Sequence, residues 1–292
     1  MEGFVVAISR RSMLRGAAGA ALAVGAAGAL PAVASAEGAG HGGGHGCFRV
    51  PRDKISIQLY SLRSILETDL EGTLDALADI GFRKVELAGT YGRTATEFRK
   101  LLDRRHLKAT STHVGIDGTD LNQAIADAKV LGNRRSNHPY ANFATIAEWE
   151  AFADRLEAAG KVYRQAGIKF GYHNHNQEFL AIGGVRPYDV LTGRTTRRNV
   201  DFEMDLFWVV TGGADPVTEF HRIAGRVKQY HVKDRNPDGG FADPGEGTID
   251  FRRIFRANHQ LEVEEYIIEN DEPVDPLKFA ATGYNYLANL RF

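Results

Sequence analysis

From Ile55 to the C-terminus, short apolar runs alternate with longer stretches of helical periodicity, and the alternation repeats eight times. Nothing else in the chain constrains the fold as much, because neighbouring parallel strands need a long return connection and a helix usually supplies it. The runs Ile55–Tyr60, Lys84–Ala88, Ala109–Val114, Arg134–Tyr140, Lys169–His175, Val200–Phe207, Val227–Lys233 and Glu265–Glu269 read as strands. Leu70–Ile80, Thr94–Arg105, Leu121–Leu131, Ile146–Ala166, Pro216–Ala224 and Pro276–Leu290 read as helices. Gly81, Gly132 and Gly167 fall where helix C-caps are expected, a place where a left-handed backbone costs glycine little. Eight units in about 240 residues match a single-domain α/β chain folded as a (β/α)8 TIM barrel. The fourth strand is the weak one, since Arg134-Arg135-Ser136-Asn137-His138-Pro139-Tyr140 lacks the β-branched run of a buried parallel strand. A doubly wound open sheet competes, but no G-x-G-x-x-G follows a strand, so dinucleotide binding has no motif to rest on.

The first 36 residues read as an address rather than as structure. Ser9-Arg10-Arg11-Ser12-Met13-Leu14-Arg15 resembles a twin-arginine export signal; an Ala/Gly-rich run from Gly16 to Leu30 and a small-residue cleavage site at Ala34-Ser35-Ala36 follow it. The apolar run is too short for a membrane span of about 20 residues, and no later segment is apolar enough to be one. The resemblance implies a periplasmic or secreted protein that folds, and can load a metal, before export. Residues 37–53 read as a Gly/His-rich linker, and 54–292 as the barrel. Gly44-His45-Gly46 before Cys47 is unlike a lipoprotein box, and a lone cysteine makes no internal disulfide.

The 292 residues carry 36 basic and 37 acidic side chains. Without residues 1–36 the balance is 33 against 36. There is no basic excess to drive nucleic-acid binding. The sequence leaves the oligomeric state open, pairing through apolar helix faces being compatible with it.

In a barrel the reactive groups lie at the C-terminal strand ends, and polar residues collect there. Strand one ends near Gln58, strand two at Glu86 and strand three at His113. Strand five runs into Tyr172-His173-Asn174-His175-Asn176-Gln177-Glu178-Phe179. Strands six, seven and eight bring Asp205, His231 with Lys233, and Glu269 with Asp271. Alternation along a strand puts His173 with His175, His231 with Lys233, and Glu269 with Asp271 on shared faces. His113 and His138 read first as structural histidines, and Glu86 equally as a salt-bridge partner or a substrate contact. Asp205, His231 and Glu269 read differently. Three metal-competent groups on consecutive strands would carry a high desolvation cost in a confined interior, and a shared cation would offset it.

Together these stretches resemble the xylose isomerase-like TIM-barrel family of sugar isomerases and epimerases, which includes inosose and dehydroshikimate dehydratases, lyases of keto-glycosides and the AP endonuclease IV group. The resemblance covers Ile55 to the C-terminus; its most specific pieces are Tyr172–Phe179, His231-Val232-Lys233-Asp234 and Gly245-Glu246-Gly247-Thr248-Ile249-Asp250-Phe251. It implies one divalent cation, Mn²⁺ first, with Mg²⁺, Zn²⁺ or Co²⁺ as alternatives, held by Asp205, His231 and Glu269. The strand-five ligand is either His173 or Glu178. Glu178 is preferred here, because three carboxylates and one imidazole make a hard set suited to Mn²⁺ or Mg²⁺. Trp208 stands where several relatives carry histidine, which argues against a three-zinc nuclease.

The expected activity is isomerisation or epimerisation of a free sugar or keto-sugar through an enediolate, with Glu178 and Glu269 as the acid/base pair. His173, His175 and Lys233 are alternatives for those roles. Gln58, Glu86, His113 and Glu246 would bind sugar hydroxyls by position alone. If the enolate expels a β-substituent, the same site is a dehydratase or a 3-keto-glycoside lyase, with imidazoles as base and acid. A reading of another class is a carbohydrate-binding barrel without catalysis. Under all three the partner is a small carbohydrate, not nucleic acid.

Overall fold

The computed structural model describes residues 48–259 and 263–292; the expected export signal and the linker up to residue 47 lie outside the described residues. Eight parallel strands close into one barrel. In chain order they are β1 Ile55–Gln58, β2 Lys84–Leu87, β3 Lys108–His113, β4 Arg135–His138, β5 Lys169–His173, β6 Asp201–Asp205, β7 Val227–Val232 and β8 Glu265–Ile268. Each pairs with its sequence neighbours, and β1 pairs with β8 to close the ring. A short antiparallel hairpin, Asp234–Arg235 with Phe241–Ala242, stands on the end of β7. Among the described residues no helix is long and apolar enough to cross a membrane.

The expected strands are all present, each somewhat shorter than its apolar run except β3, which keeps its length and begins one residue earlier. Helices Leu70–Ile80 and Leu121–Leu131 fall where periodicity places them, with Gly81 and Gly132 as C-caps at φ 122° and 84°. Four helices among the described residues were not anticipated: Arg63–Leu66, Pro187–Arg194, Leu206–Thr211 and Phe251–Asn258.

The core is the shell between barrel and helices. Ile55, Ile57, Val85, Leu87, Phe170, Tyr172, Phe202, Met204, Tyr230, Val232 and Ile268 alternate with polar residues along the strands and are buried. Each such side chain contributes about 1.5–3 kcal/mol on burial. The alternate faces turn into the lumen, shown by hydrogen bonds between strands that are not neighbours. His113 on β3 meets Glu203 on β6 (2.6 Å), and Asn137 on β4 meets Gln229 on β7 (2.9 Å). This explains β4. Its inward residues, Arg135 and Asn137, answer partners across a polar lumen, Asp201 at 2.7 Å and Glu203 at 2.7 Å, so no β-branched run is needed. On β5, Gly171 faces Asn137 of β4, and an added Cβ there would lie 2.3 Å from Asn137 Oδ1.

Candidate active site

Two polar layers are stacked in the lumen. In the deeper one, Glu86 takes Gln58 Nε2 at 2.9 Å and His231 Nε2 at 2.8 Å on the same oxygen, and His113 lies 3.2 Å away. Glu203 accepts from His113 and from Asn137 Nδ2 (2.7 Å), and Gln229 Nε2 reaches Ser111 (3.0 Å). Burial opposes charge on His113, but Glu86 and Glu203 carry its pKa up to about 10. Burial would likewise raise Glu86, yet the two imidazoles hold it well below the usual carboxylate range. Two carboxylates and two imidazoles thus answer one another. Gln58, Glu86 and His113, expected to meet substrate, are built into this network instead: Gln58 and Glu86 are fully buried, and His113 spends its Nε2 on the two carboxylates.

The upper layer lies at the strand ends. His173, Asp205, His231 and Glu269 come from β5, β6, β7 and the residue after β8, and each offers one donor atom within 4.8 Å of the others. All four are buried. Asp205 divides its two oxygens. Oδ1 caps the helix Leu206–Thr211 through the Trp208 N–H (2.9 Å), and Oδ2 faces His173 Nε2 (3.4 Å) and Lys233 Nζ (3.0 Å). Asn174 fastens β5 to β6 at this point by bonding both the N–H and the C=O of Asp205. Glu269 Oε2 lies 2.7 Å from both His231 Nδ1 and Lys233 Nζ.

These residues fit a divalent cation. His173 Nδ1 lies 3.0 Å from the Pro139 carbonyl oxygen, which can only accept, so Nδ1 carries a proton and Nε2 is the nitrogen turned toward Asp205 Oδ2. With Nδ1 held by the carbonyl, Nε2 is the atom His173 has to offer a cation beside Asp205 Oδ2. His231 is backed in the same way, since Glu86 and Glu203 (3.1 Å) receive Nε2–H while Nδ1 faces Glu269. A metal-binding imidazole commonly has its second nitrogen held like this. Burial disfavours charge on His231, but Glu203 and Glu269 hold it well above the usual imidazole range. A cation at Nδ1 would displace that proton.

Glu178, the preferred strand-five ligand in the sequence, is not brought to this group; His173 is. The reason is local. Gln177–Phe179 forms a 3₁₀ turn, in which Glu178 receives the Tyr172 hydroxyl (2.5 Å) and the His175 N–H (3.0 Å). Burial pushes its carboxyl up to about 7 despite those bonds. His175 is pushed well below the imidazole range by burial, with His173 and Lys233 adding to it, and is neutral; its Nδ1 has no partner. Burial opposes charge on Lys233 as well, but Asp205, Asp271 and Glu269 hold it well above the ordinary range, so it is an ammonium. Glu246, the fourth expected substrate contact, is exposed. It rides on a loop wound around Asp234, whose carboxylate takes the N–H groups of Arg235, Gly245, Gly247 and Ile249 at 2.8–3.1 Å. A Cβ at Gly247 would lie 2.3 Å from Asp234 Oδ1, so the Gly-Glu-Gly motif there is a packing requirement.

Glu203 and Asn137 were missed by sequence reasoning. The spacing Asp201-x-Glu203-x-Asp205 held the signal for Glu203, since period-two alternation turns all three inward. The mouth is walled by aromatic rings. His175 lies between Tyr140 (4.9 Å between ring centres) and Trp208 (5.2 Å), and Phe241 continues the wall 5.9 Å beyond Trp208.

Residues 74–280 match the family model described as the xylose isomerase-like TIM barrel. An inosose dehydratase of Lacticaseibacillus casei is 25% identical over 269 residues, 76% of this chain and 89% of that protein. A solved sugar phosphate isomerase/epimerase of Parabacteroides distasonis has a TM-score of 0.72 and 27% identity, covering 81% of this chain and 98% of its own. An L-ribulose 3-epimerase shares the fold at a TM-score of 0.59 and 19% identity, over 80% of this chain and 92% of its own.

Proposed function

Because this chain belongs to the xylose isomerase-like TIM-barrel family, we propose that it is a metal-dependent lyase that acts by β-elimination on a keto-sugar or 3-keto-glycoside. The make-up of the upper layer carries this reading. Glu269 faces imidazoles and an ammonium there, and the second carboxylate that an epimerase pair calls for, Glu178, is engaged by Tyr172 and His175. The similarity to an inosose dehydratase supports the same class of reaction.

A divalent cation held by His173, Asp205, His231 and Glu269 would polarise the ketone and stabilise the charge that develops when the neighbouring carbon loses its proton. His175, whose Nδ1 has no partner, is assigned to take that proton from the carbon that the cation would acidify. Lys233, an ammonium, donates to the departing oxygen. Trp208, whose indole N–H has no partner, and Tyr140, 46% exposed, provide stacking faces and a donor for the sugar or its aglycone. With two imidazoles and two carboxylates the donor set moves away from Mg²⁺ and toward Zn²⁺, Co²⁺ or Mn²⁺. Export through residues 1–36 belongs to the same proposal and favours an unphosphorylated substrate; finding the mature protein only in the cytoplasm would remove that part.

The test is incubation of metal-loaded protein with keto-sugars and 3-keto-glycosides in D₂O, read by NMR. Release of water or aglycone is expected. A second reading, isomerase or epimerase, has one observation in its favour: near pH 7 Glu178 sits at its own titration point and can exchange protons. Deuterium next to the carbonyl in an intact skeleton would select it and reject elimination.

A further inference from the structure

We propose that Lys233 is a resident cation on the metal's own carboxylates and withdraws onto Asp271 when a divalent ion binds, which makes Asp271 the positioning residue that sets metal affinity. The inference rests on the metal site proposed above. Lys233 Nζ lies 2.7 Å from Glu269 Oε2, 3.0 Å from Asp205 Oδ2 and 2.9 Å from Asp271 Oδ1. The first two oxygens are the ones that His231 and His173 also face. Three carboxylates surround the ammonium, hydrogen-bonded at Asp271 and ion-paired at Asp205 and Glu269.

A divalent ion that needs Glu269 Oε2 and Asp205 Oδ2 competes directly with the ammonium for both. Only the Asp271 bond lies outside the contested set. Asp271 is a fixed seat. Its carbonyl accepts Arg63 NH2 (2.6 Å), Arg63 stacks over Tyr60 at 4.0 Å, and the adjoining Asn270 N–H bonds Ser61 (3.1 Å), so the loops after β1 and β8 hold it in place. The Trp208 and Phe241 rings, 5.3 and 5.8 Å from Nζ, give the ammonium π-faces on its other side. Until metal arrives, Lys233 offsets buried carboxylates that would otherwise repel one another.

The two ends of this device predict opposite signs. In Mn²⁺ titrations of the full chain, followed by the EPR signal of free Mn²⁺, Lys233→Met removes the competitor. It should bind about tenfold more tightly than the wild type, with a lower Tm when metal-free and a larger Mn²⁺-induced rise. Asp271→Asn removes the seat and should bind about tenfold more weakly, and Asp271→Glu should restore wild-type affinity; outer-shell partners of metal ligands commonly act at this scale. Lys233→Met binding Mn²⁺ no more tightly than the wild type, or Asp271→Asn leaving affinity unchanged, overturns the proposal. If Lys233→Met does not fold, the Asn and Glu variants of Asp271 decide alone. Should the wild type and every variant bind neither Mn²⁺ nor Zn²⁺, the metal site itself falls and this proposal with it, a pattern distinct from a wild type that binds and variants that do not differ.

Discussion

The two lumen layers are built from similar residues and behave differently. In the lower one each charged group has an opposite across the barrel: His113 against Glu203, His231 Nε2 against Glu86, Asn137 between Glu203 and Gln229. In the upper one Asp205 and Glu269 share a single lysine, His173 Nε2 faces Asp205 at 3.4 Å, and His175 Nδ1 and Trp208 Nε1 have no partner. A buried network that answers all its own charges, with only Asn137 Oδ1 left unpartnered, is scaffold. One that does not is set up for something it lacks. His231 belongs to both, held from below by one nitrogen and offered above by the other.

Breaking the upper layer should abolish function, and at Asp205, which caps Leu206–Thr211 and pairs the buried Lys233, it also costs stability. Asp205→Ala is expected to lose the stoichiometric metal and to lower kcat/KM by about 10³-fold, or ~4 kcal/mol of transition-state stabilisation. Elemental analysis with the elimination assay checks both, and full metal retention would detach Asp205 from the site. Breaking the lower layer should do the reverse. Glu203→Ala strands His113 and the Asn137 amide in a buried place, so urea unfolding should show a loss of about 3–5 kcal/mol while a bound metal remains. A fully stable Glu203→Ala protein would mean that this layer is not scaffold.

A smaller effect sharpens the boundary between the layers. Glu178 keeps its proton up to about pH 7 when folded, against an ordinary value of 4.5. Its stabilising contribution is therefore complete below pH 4.5 and disappears as the pH rises through 7. The shift corresponds to up to about 3 kcal/mol. Glu178→Gln, which copies the protonated form, should gain stability relative to the wild type over that window; parallel pH–stability curves would show that the carboxyl titrates normally. The smallest change is at the wall. Trp208→Phe keeps a ring and removes the N–H, worth ~0.5–1.5 kcal/mol for one hydrogen bond, so KM for a keto-glycoside should rise roughly 3- to 10-fold with kcat little changed. A fall in kcat at constant KM would place Trp208 in the chemical step instead.

The barrel was legible because its outer shell follows simple rules: apolar faces in period two, helices in period 3.6, glycine at C-caps. What misled the reading came from the lumen and its rim. β4 looked unlike a buried strand because Arg135 and Asn137 answer distant acids, and those partners sit 66 residues along the chain in Asp201 and Glu203. Leu206 and Phe207, the first two residues of the helix Leu206–Thr211, read as the tail of strand six; the helix begins there because Asp205 caps it. Asp205, His231 and Glu269 were singled out because each lies at or beside the C-terminal end of a strand, and the structure brings the three together. Between His173 and Glu178, residue type favoured the carboxylate, but a Tyr172 hydroxyl and one backbone N–H turn it away, and such local hydrogen bonds leave no mark in the order of residue types.

The edges of the described chain meet. Phe48 and Phe292 exchange both backbone hydrogen bonds, at 2.9 and 3.0 Å, where the final helix, Pro276–Asn289, has returned to the floor of the barrel. A linker attached at the C-terminus would therefore leave from the side facing away from the strand ends, and protein immobilised on a bead or sensor chip through it would present an unobstructed entrance to dissolved ligands.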